Sequence, residues 1–353
     1  MDEDSAYEVL RRSGVLEGRG VRSVEVRDTG AFNSDTARVR VSFRSAPDAQ
    51  FVVKTPAGNA WSRAAAIDEA RFYTLVATLP DHPAVVPRCL AAAGDDAPYV
   101  VLEDLSATHQ HPITRAQTIQ RPSTLPAPED QLAVVDTLAR LQAYWWEHPL
   151  QAAGALEFGY WSDDSEGFER YAQRRRASWR SVLDQHRSWL PSDVVDLYER
   201  TFDGLGNHWN TWLRPRMADR LTLVHGDAYF CNYLCPRPAG AGRAYLIDWQ
   251  SACIDLGALD LVNLIATFWS HDQRAEYEVP LLREFHRRLT GYGVTGYSFD
   301  DLVQDYRLGL IYWLLMPVQD AYDGSARDYW WPKMQCLTSA AGDWNCAELL
   351  VTR

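Results

Sequence analysis

The sequence predicts a two-lobed α+β fold, with a small antiparallel-sheet lobe over residues 1–105 and a larger, mostly helical lobe over 106–353. Three observations predict it. Short runs with strand-like alternation cluster before residue 103, segments of helical periodicity fill most of the chain after residue 129, and the texture changes abruptly around Glu103–Leu105.

Ala6–Arg12 reads as a short opening helix. Arg22–Arg27, Ala37–Phe43 and Gln50–Lys54 alternate or run apolar, with Gly30, Asn33, Ser34 and Pro47 between them, so a three-stranded meander is expected. Ser62–Leu79 sets Ala66, Ala70, Tyr73 and Leu75-Val76 at helical spacing and stops at Pro80. Arg88–Ala92 and Tyr99–Leu102 add two strands. Ser106–Asp130, punctuated by Pro112, Pro122, Pro126 and Pro128, is expected as an irregular connector or a substrate-side insertion. Helices are then expected at Glu129–Glu147, Phe168–Trp189, Ser192–Trp212, Ala258–Trp269, Arg274–Leu289, Phe299–Leu315 and after Tyr329. One short β-pair, Leu221–Val224 with Ala244–Ile247, interrupts them.

Charge and composition exclude several function classes. The formal charge of −12, with no basic run longer than Arg174-Arg175-Arg176, excludes a nucleic-acid binder and permits a cationic substrate without locating one. No basic-then-apolar leader is present and the longest apolar stretch, Gly309–Val318, is too short for a bilayer, so a soluble, cytoplasmic protein with no membrane partner is expected. The six cysteines call for no disulfide framework, and Cys231 with Cys235 lacks the second pair of a zinc site. Only Lys54 and Lys333 among 35 basic residues are lysine. In a chain that uses arginine wherever either serves, a retained lysine is expected to need its compact ammonium.

Chemistry concentrates in His225-Gly226-Asp227-Ala228-Tyr229-Phe230-Cys231-Asn232, followed by Leu246-Ile247-Asp248-Trp249-Gln250. A single aspartate after a strand is an ordinary turn residue. Two carboxylates and an amide, each just past a predicted strand, are the oxygen donors that a Mg²⁺-dependent phosphoryl transfer requires.

These residues resemble the catalytic and metal-binding loops of the aminoglycoside phosphotransferase and choline kinase superfamily, and Asp255-Leu256-Gly257-Ala258-Leu259-Asp260-Leu261 resembles the helix start that follows them. Gln250 and Leu102-Glu103-Asp104-Leu105-Ser106 are closest to its ecdysteroid-kinase-like branch. The resemblance spans about Ser23 to Leu315 and implies a protein-kinase-like fold, ATP and Mg²⁺ as cofactors, Asp227 as catalytic base, Asn232 and Asp248 as metal ligands, and Asp260 as an acid that ties the loop down.

The small lobe fits the same chemistry. Lys54 ends a strand, where a lysine held by an acid on the next helix reaches phosphates; Glu69 is the expected partner and Asp68 its rival. By resemblance Glu103 and Leu105 meet the adenine edge, although an acidic turn after a buried strand fits their side chains equally. Gly30-Ala31-Phe32-Asn33-Ser34 has too few glycines for a glycine-rich loop; Ser34 is a phosphate contact or part of a hairpin turn. Gln142 stands where many relatives place histidine. Aromatic residues including Trp145-Trp146, Trp161, Trp269 and Trp313 are expected to line core or groove, with Trp330 and Trp331, beside Asp320, Tyr322 and Asp323, nearest the substrate.

The expected function is transfer of the ATP γ-phosphate to a hydroxyl of a small sugar-, aminoglycoside-, aminoalcohol- or polycyclic-type acceptor. A non-catalytic kinase-fold protein would not need Asp227, Asn232, Asp248 and Lys54 together. A protein kinase would need a glycine-rich loop and an activation segment between Asp248 and Ala258, and a metal-dependent hydrolase would leave Lys54 unexplained.

Overall fold

The computed structural model describes residues 1–30, 34–120, 124–159, 165–238 and 242–351. Ala31–Asn33 of the expected phosphate loop and Trp161 lie outside the described residues.

Strands β1 (Val21–Asp28), β2 (Ser34–Phe43), β3 (Ala49–Pro56), β4 (Cys89–Ala93) and β5 (Tyr99–Glu103) form one antiparallel sheet in the order β1-β2-β3-β5-β4. Alternation makes it amphipathic: Ala37, Val39, Val41 and Phe43 are buried while Arg38 and Arg40 are exposed. Helix α1 (Glu3–Arg12) adds Ala6 and Leu10 to a core with Phe51, Val53 and Val101. Helix α2 (Ala60–Ala77) starts at an Asn59–Ser62 capping box and buries Ala65, Glu69, Phe72 and Tyr73.

The chain forms two compact units, Met1–Gln110 with Leu234–Ala252, and His111–Tyr233 with Cys253–Arg353. A linear division at residue 105 misses the return of Leu234–Ala252 to the first unit. Among the contacts that hold that return, Leu246 donates its N–H to the Val85 carbonyl at 2.8 Å, the Trp249 ring stacks on Phe72 with centroids 4.1 Å apart, and Asp248 pairs with Lys54. A stacked aromatic pair contributes about 0.5–1.5 kcal/mol beyond its buried area.

The β-pairing around the motif also differs from the expected one. Strand β7 (Leu221–Val224) pairs antiparallel with β10 (Cys253–Leu256), in register Val224↔Cys253 through Leu221↔Leu256. The short β9 (Tyr245–Leu246) instead joins β8 (Tyr233–Pro236), which pairs with β6 (His109–Gln110). Alternation in Ile254 and Leu256 supplies the buried face that β7 needs, whereas β9 is too short to cover it.

The second unit is mostly helical: α3 (Arg115–Gln120), α4 (Pro128–Trp145), α5 (Pro149–Ala152), α6 (Ser165–His186), α7 (Ser192–His208), α8 (Arg214–Arg216), α9 (Ala258–Ile265), α10 (His271–Gly291), α11 (Phe299–Leu314), α12 (Met316–Tyr322) and α13 (Arg327–Asp343). In α4, Val134, Leu138, Leu141 and Trp145 form a buried stripe of helical period. The expected irregular connector contains β6 and α3. Among the described residues, no helix is long and apolar enough to cross a membrane.

Candidate active site

In the first unit the end of β3 carries Lys54 between two acids, Glu69, which is buried, and Asp248, which is half-buried. Its Nζ donates to Glu69 Oε1 at 2.6 Å and to Asp248 Oδ1 at 2.8 Å. Burial pulls the ammonium's pKa down, but the charges and hydrogen bonds of Asp248 and Glu69 outweigh it and hold it above the ordinary lysine value. Glu69 also accepts the Trp249 N–H at 3.3 Å, so α2 fixes both the lysine and the backbone after Asp248. Asp248 itself adopts a left-handed conformation at φ 74°, an uncommon state for a residue other than glycine. Glu69, not Asp68, is the lysine's partner; Asp68 pairs with Arg71 on an exposed turn of α2.

Ser34, Lys54, Ser62, Glu69 and Gln250 line one recess of this unit, and the Ser34 hydroxyl lies 2.7 Å from that of Thr36. Glu103 does not join it. Its carboxylate accepts the Arg88 N–H at 2.8 Å beside the sheet. The Leu105 carbonyl is engaged by the N–H groups of Thr108 and His109, and no described residue bonds its own N–H.

In the second unit β7 ends at Val224 and the chain turns sharply. Gly226 has φ 75°, a conformation open to glycine without cost, and the carboxylate of Asp260 on α9 accepts two successive backbone donors, His225 N–H at 2.8 Å and Gly226 N–H at 3.0 Å. Gln142 on α4 donates to the same carboxylate at 3.2 Å and to the Gly257 carbonyl at 3.1 Å. A Cβ at Gly257 would sit 2.3 Å from Gln142 Oε1, so a side chain there would force the Gln142 amide to shift. His225 Nδ1 accepts the Asp227 N–H at 3.2 Å. Asn232 then donates through Nδ2 to the Asp227 carbonyl at 2.7 Å and to its carboxylate at 3.1 Å. The loop therefore presents Asp227 in a fixed orientation and turns the Asn232 amide nitrogen toward it.

The sequence reading gave Gln142 and His225 no role, although both stand within or beside the motif's helical and strand neighbours. Gln142 is fully buried in α4, and the signal in the sequence is its position, where many relatives place histidine.

Burial pushes two acids of this unit up to about 7: Asp255 on β10, further raised by the charge of Asp260, and Asp260, further raised by Asp227. A carboxyl whose folded pKa exceeds its unfolded value near 4 keeps its proton in the folded state between those values. Stability therefore falls as pH climbs from about 4 to about 7 and levels off above. Asp255→Asn, uncharged throughout, is expected to raise Tm at pH 8 and change it little at pH 4.5. Parallel Tm–pH curves for variant and parent would show that Asp255 ionises as in the unfolded chain.

The four expected substrate contacts scatter. Trp330 is buried against His186 and Trp189, with ring centroids 5.3 and 5.8 Å away, and Trp331 meets Trp189 edge-on at 5.0 Å. Tyr322 stands exposed on the surface. Asp320 accepts a 2.6 Å hydrogen bond from Lys333, a residue the sequence marked only by its rarity.

The model of the phosphotransferase enzyme family matches residues 29–296, well over half of the chain. The chain belongs to that family. This phosphotransferase is also similar in structure to wild-type aminoglycoside 2′-phosphotransferase-IIIa in its GDP complex, at 14% identity, TM-score 0.54, covering 97% of this chain and 100% of the other. It is similar to a spectinomycin phosphotransferase in complex with ADP and spectinomycin, at 13% identity, TM-score 0.50, covering 99% and 98%. At such identities the likeness establishes the kinase-like α+β fold. No curated protein matches the sequence.

Proposed function

We propose that this phosphotransferase moves the γ-phosphate of Mg²⁺-ATP to a hydroxyl of a small molecule. The observation that carries the reading is the buried Lys54 ammonium held by Glu69 and Asp248. A structural ion pair alone does not call for a lysine shared by two carboxylates at the end of a strand, with a second carboxylate loop, that of Asp227, clamped elsewhere. In this reading the first unit binds the nucleotide. Lys54 meets phosphate oxygens, Glu69 positions it, Ser34 adds a hydroxyl, and the Leu105 N–H, not the Glu103 side chain, serves the base.

The second unit supplies chemistry and acceptor binding. Asp227 accepts the proton of the attacking hydroxyl, and the Asn232 amide keeps its carboxylate oriented. Each unit offers an oxygen of the kind Mg²⁺ takes: Asp248 a carboxylate in the first, and Asn232, whose Nδ2 is committed to Asp227, its amide oxygen in the second. Bound to such oxygens, Mg²⁺ would neutralise charge on the nucleotide phosphates. Among the described residues no three His, Cys, Asp or Glu side chains form a metal cluster. Mg²⁺ held by one or two protein oxygens and by phosphate needs none.

Family membership supports phosphoryl transfer, and the description of solved relatives as GDP and ADP complexes supports a nucleotide donor. Their named acceptors, aminoglycosides and spectinomycin, support a small hydroxylated acceptor. The test is nucleoside-diphosphate release over a panel of hydroxylated small molecules, with and without Mg²⁺. Acceptor- and Mg²⁺-dependent release supports the reading; release indifferent to every acceptor and to the metal overturns it.

A further inference from the structure

Lys333, the second lysine, sits on α13 with 3% of its surface exposed. Its Nζ donates to Asp320 Oδ2 at 2.6 Å and to the Tyr329 hydroxyl at 3.4 Å. Three rings surround it, with centroids 4.6 Å (Tyr329), 5.7 Å (Tyr229) and 5.9 Å (Phe268) away. Rings at such distances around an ammonium form the kind of box that recognises a cationic ligand. Here the chain's own lysine fills it. A second cation, Arg115 on α3, lies 5.4 Å from the Tyr329 centroid.

Tyr229 and Phe268 face a cleft as well, together with Ile113, Thr118, Leu264 and Trp269, and no described residue lining that cleft is charged. Tyr229 follows Asp227 by two positions. Its backbone N–H donates to the Asp227 carbonyl at 2.9 Å, so this wall of the cleft is built on the catalytic loop itself. A cationic acceptor entering would lose hydration against an uncharged lining and would find the adjoining aromatic box already taken.

Resting on the function proposed above, we propose that this cleft selects uncharged, ring-bearing alcohols over polycationic acceptors, and that Lys333 sets the selection by filling the aromatic box with the chain's own ammonium. The apolar rings take the acceptor's ring face, and its hydroxyl meets Asp227. Asp320 neutralises the lysine, so the box offers no carboxylate to an amine.

The full-length protein with Mg²⁺-ATP tests this on two matched series, neutral ring alcohols and polyamino analogues carrying the same number of hydroxyls, read by phosphate mass gain on the acceptor. The expected result is kcat/KM at least about tenfold higher for the neutral series. Lys333→Met removes the ammonium from the box and leaves the Asp320 carboxylate without its cation, and kcat/KM for a monoamino alcohol is expected to rise about tenfold while the nucleotide KM holds. Preference of the parent chain for the polyamino series overturns the inference and leaves the phosphotransferase reading standing. Mass gain on neither series overturns both. A folded Lys333→Met chain with the parent's neutral-to-amine ratio overturns the role of Lys333; should that variant fail to fold, the parent chain's ratio still decides the substrate class.

Discussion

Asp227→Asn is expected to lower turnover by roughly 10²–10⁴-fold, the usual effect of losing a general base, while the affinity for Mg²⁺-nucleotide changes little. The split follows from geometry. The Asp227 carboxylate accepts a hydrogen bond from Asn232 and belongs to a loop whose backbone is fixed by Asp260, whereas the phosphate-side lysine is fixed separately by Glu69 and Asp248. An amide keeps the size and the hydrogen bond to Asn232 but cannot take the hydroxyl proton. Parallel measurement of turnover and of nucleotide binding checks it, and full activity in Asp227→Asn removes the assignment.

Lys54→Met is expected to raise the nucleotide KM by at least tenfold and to lower Tm sharply, because it leaves the Glu69 carboxylate buried without its cation. Removing one partner of a buried ion pair costs about 3–5 kcal/mol, and Asp248, more open to solvent than Glu69, relieves part of that cost. Lys54→Arg separates the two effects. It restores a positive charge and so recovers stability, but a planar fork does not reproduce a compact ammonium reaching both carboxylates and a phosphate, so its nucleotide KM stays raised. An arginine variant with the parent's KM would make Lys54 a purely structural cation.

How much of this was legible in the sequence depends on how local each signal is. Strand β2 and helix α4 announce themselves through alternation and period, because one face of each must be buried whatever lies opposite. The Lys54–Glu69 pair was legible for a related reason: a strand end and the next helix, 15 residues on, leave few geometries for a buried lysine and acid. The partner of β7 was not legible, since alternation says that Leu223 is buried but not that Ile254 covers it. For the same reason alternation pairs the strand before Asp248 with the strand before Asp227, whereas β10 takes that place and the segment carrying Asp248 is part of the first unit, its carboxylate shared with Lys54. Trp330 illustrates the remaining gap. An aromatic pair near an acid looks like a substrate platform, yet the ring packs against His186 and Trp189, and the side chain that lies 5.7 Å from the Tyr229 ring of the loop is that of Lys333, three positions along α13.

The central claim is that phosphate leaves a nucleotide and arrives on a small-molecule hydroxyl through Asp227. Phosphorus NMR of a reaction containing the parent chain, Mg²⁺-ATP and an accepted alcohol tests it most directly, with Asp227→Asn alongside. The account predicts a phosphomonoester signal growing in step with ADP for the parent chain and none above background for the variant. Inorganic phosphate as the sole product, or an ester formed equally well by Asp227→Asn, would contradict it.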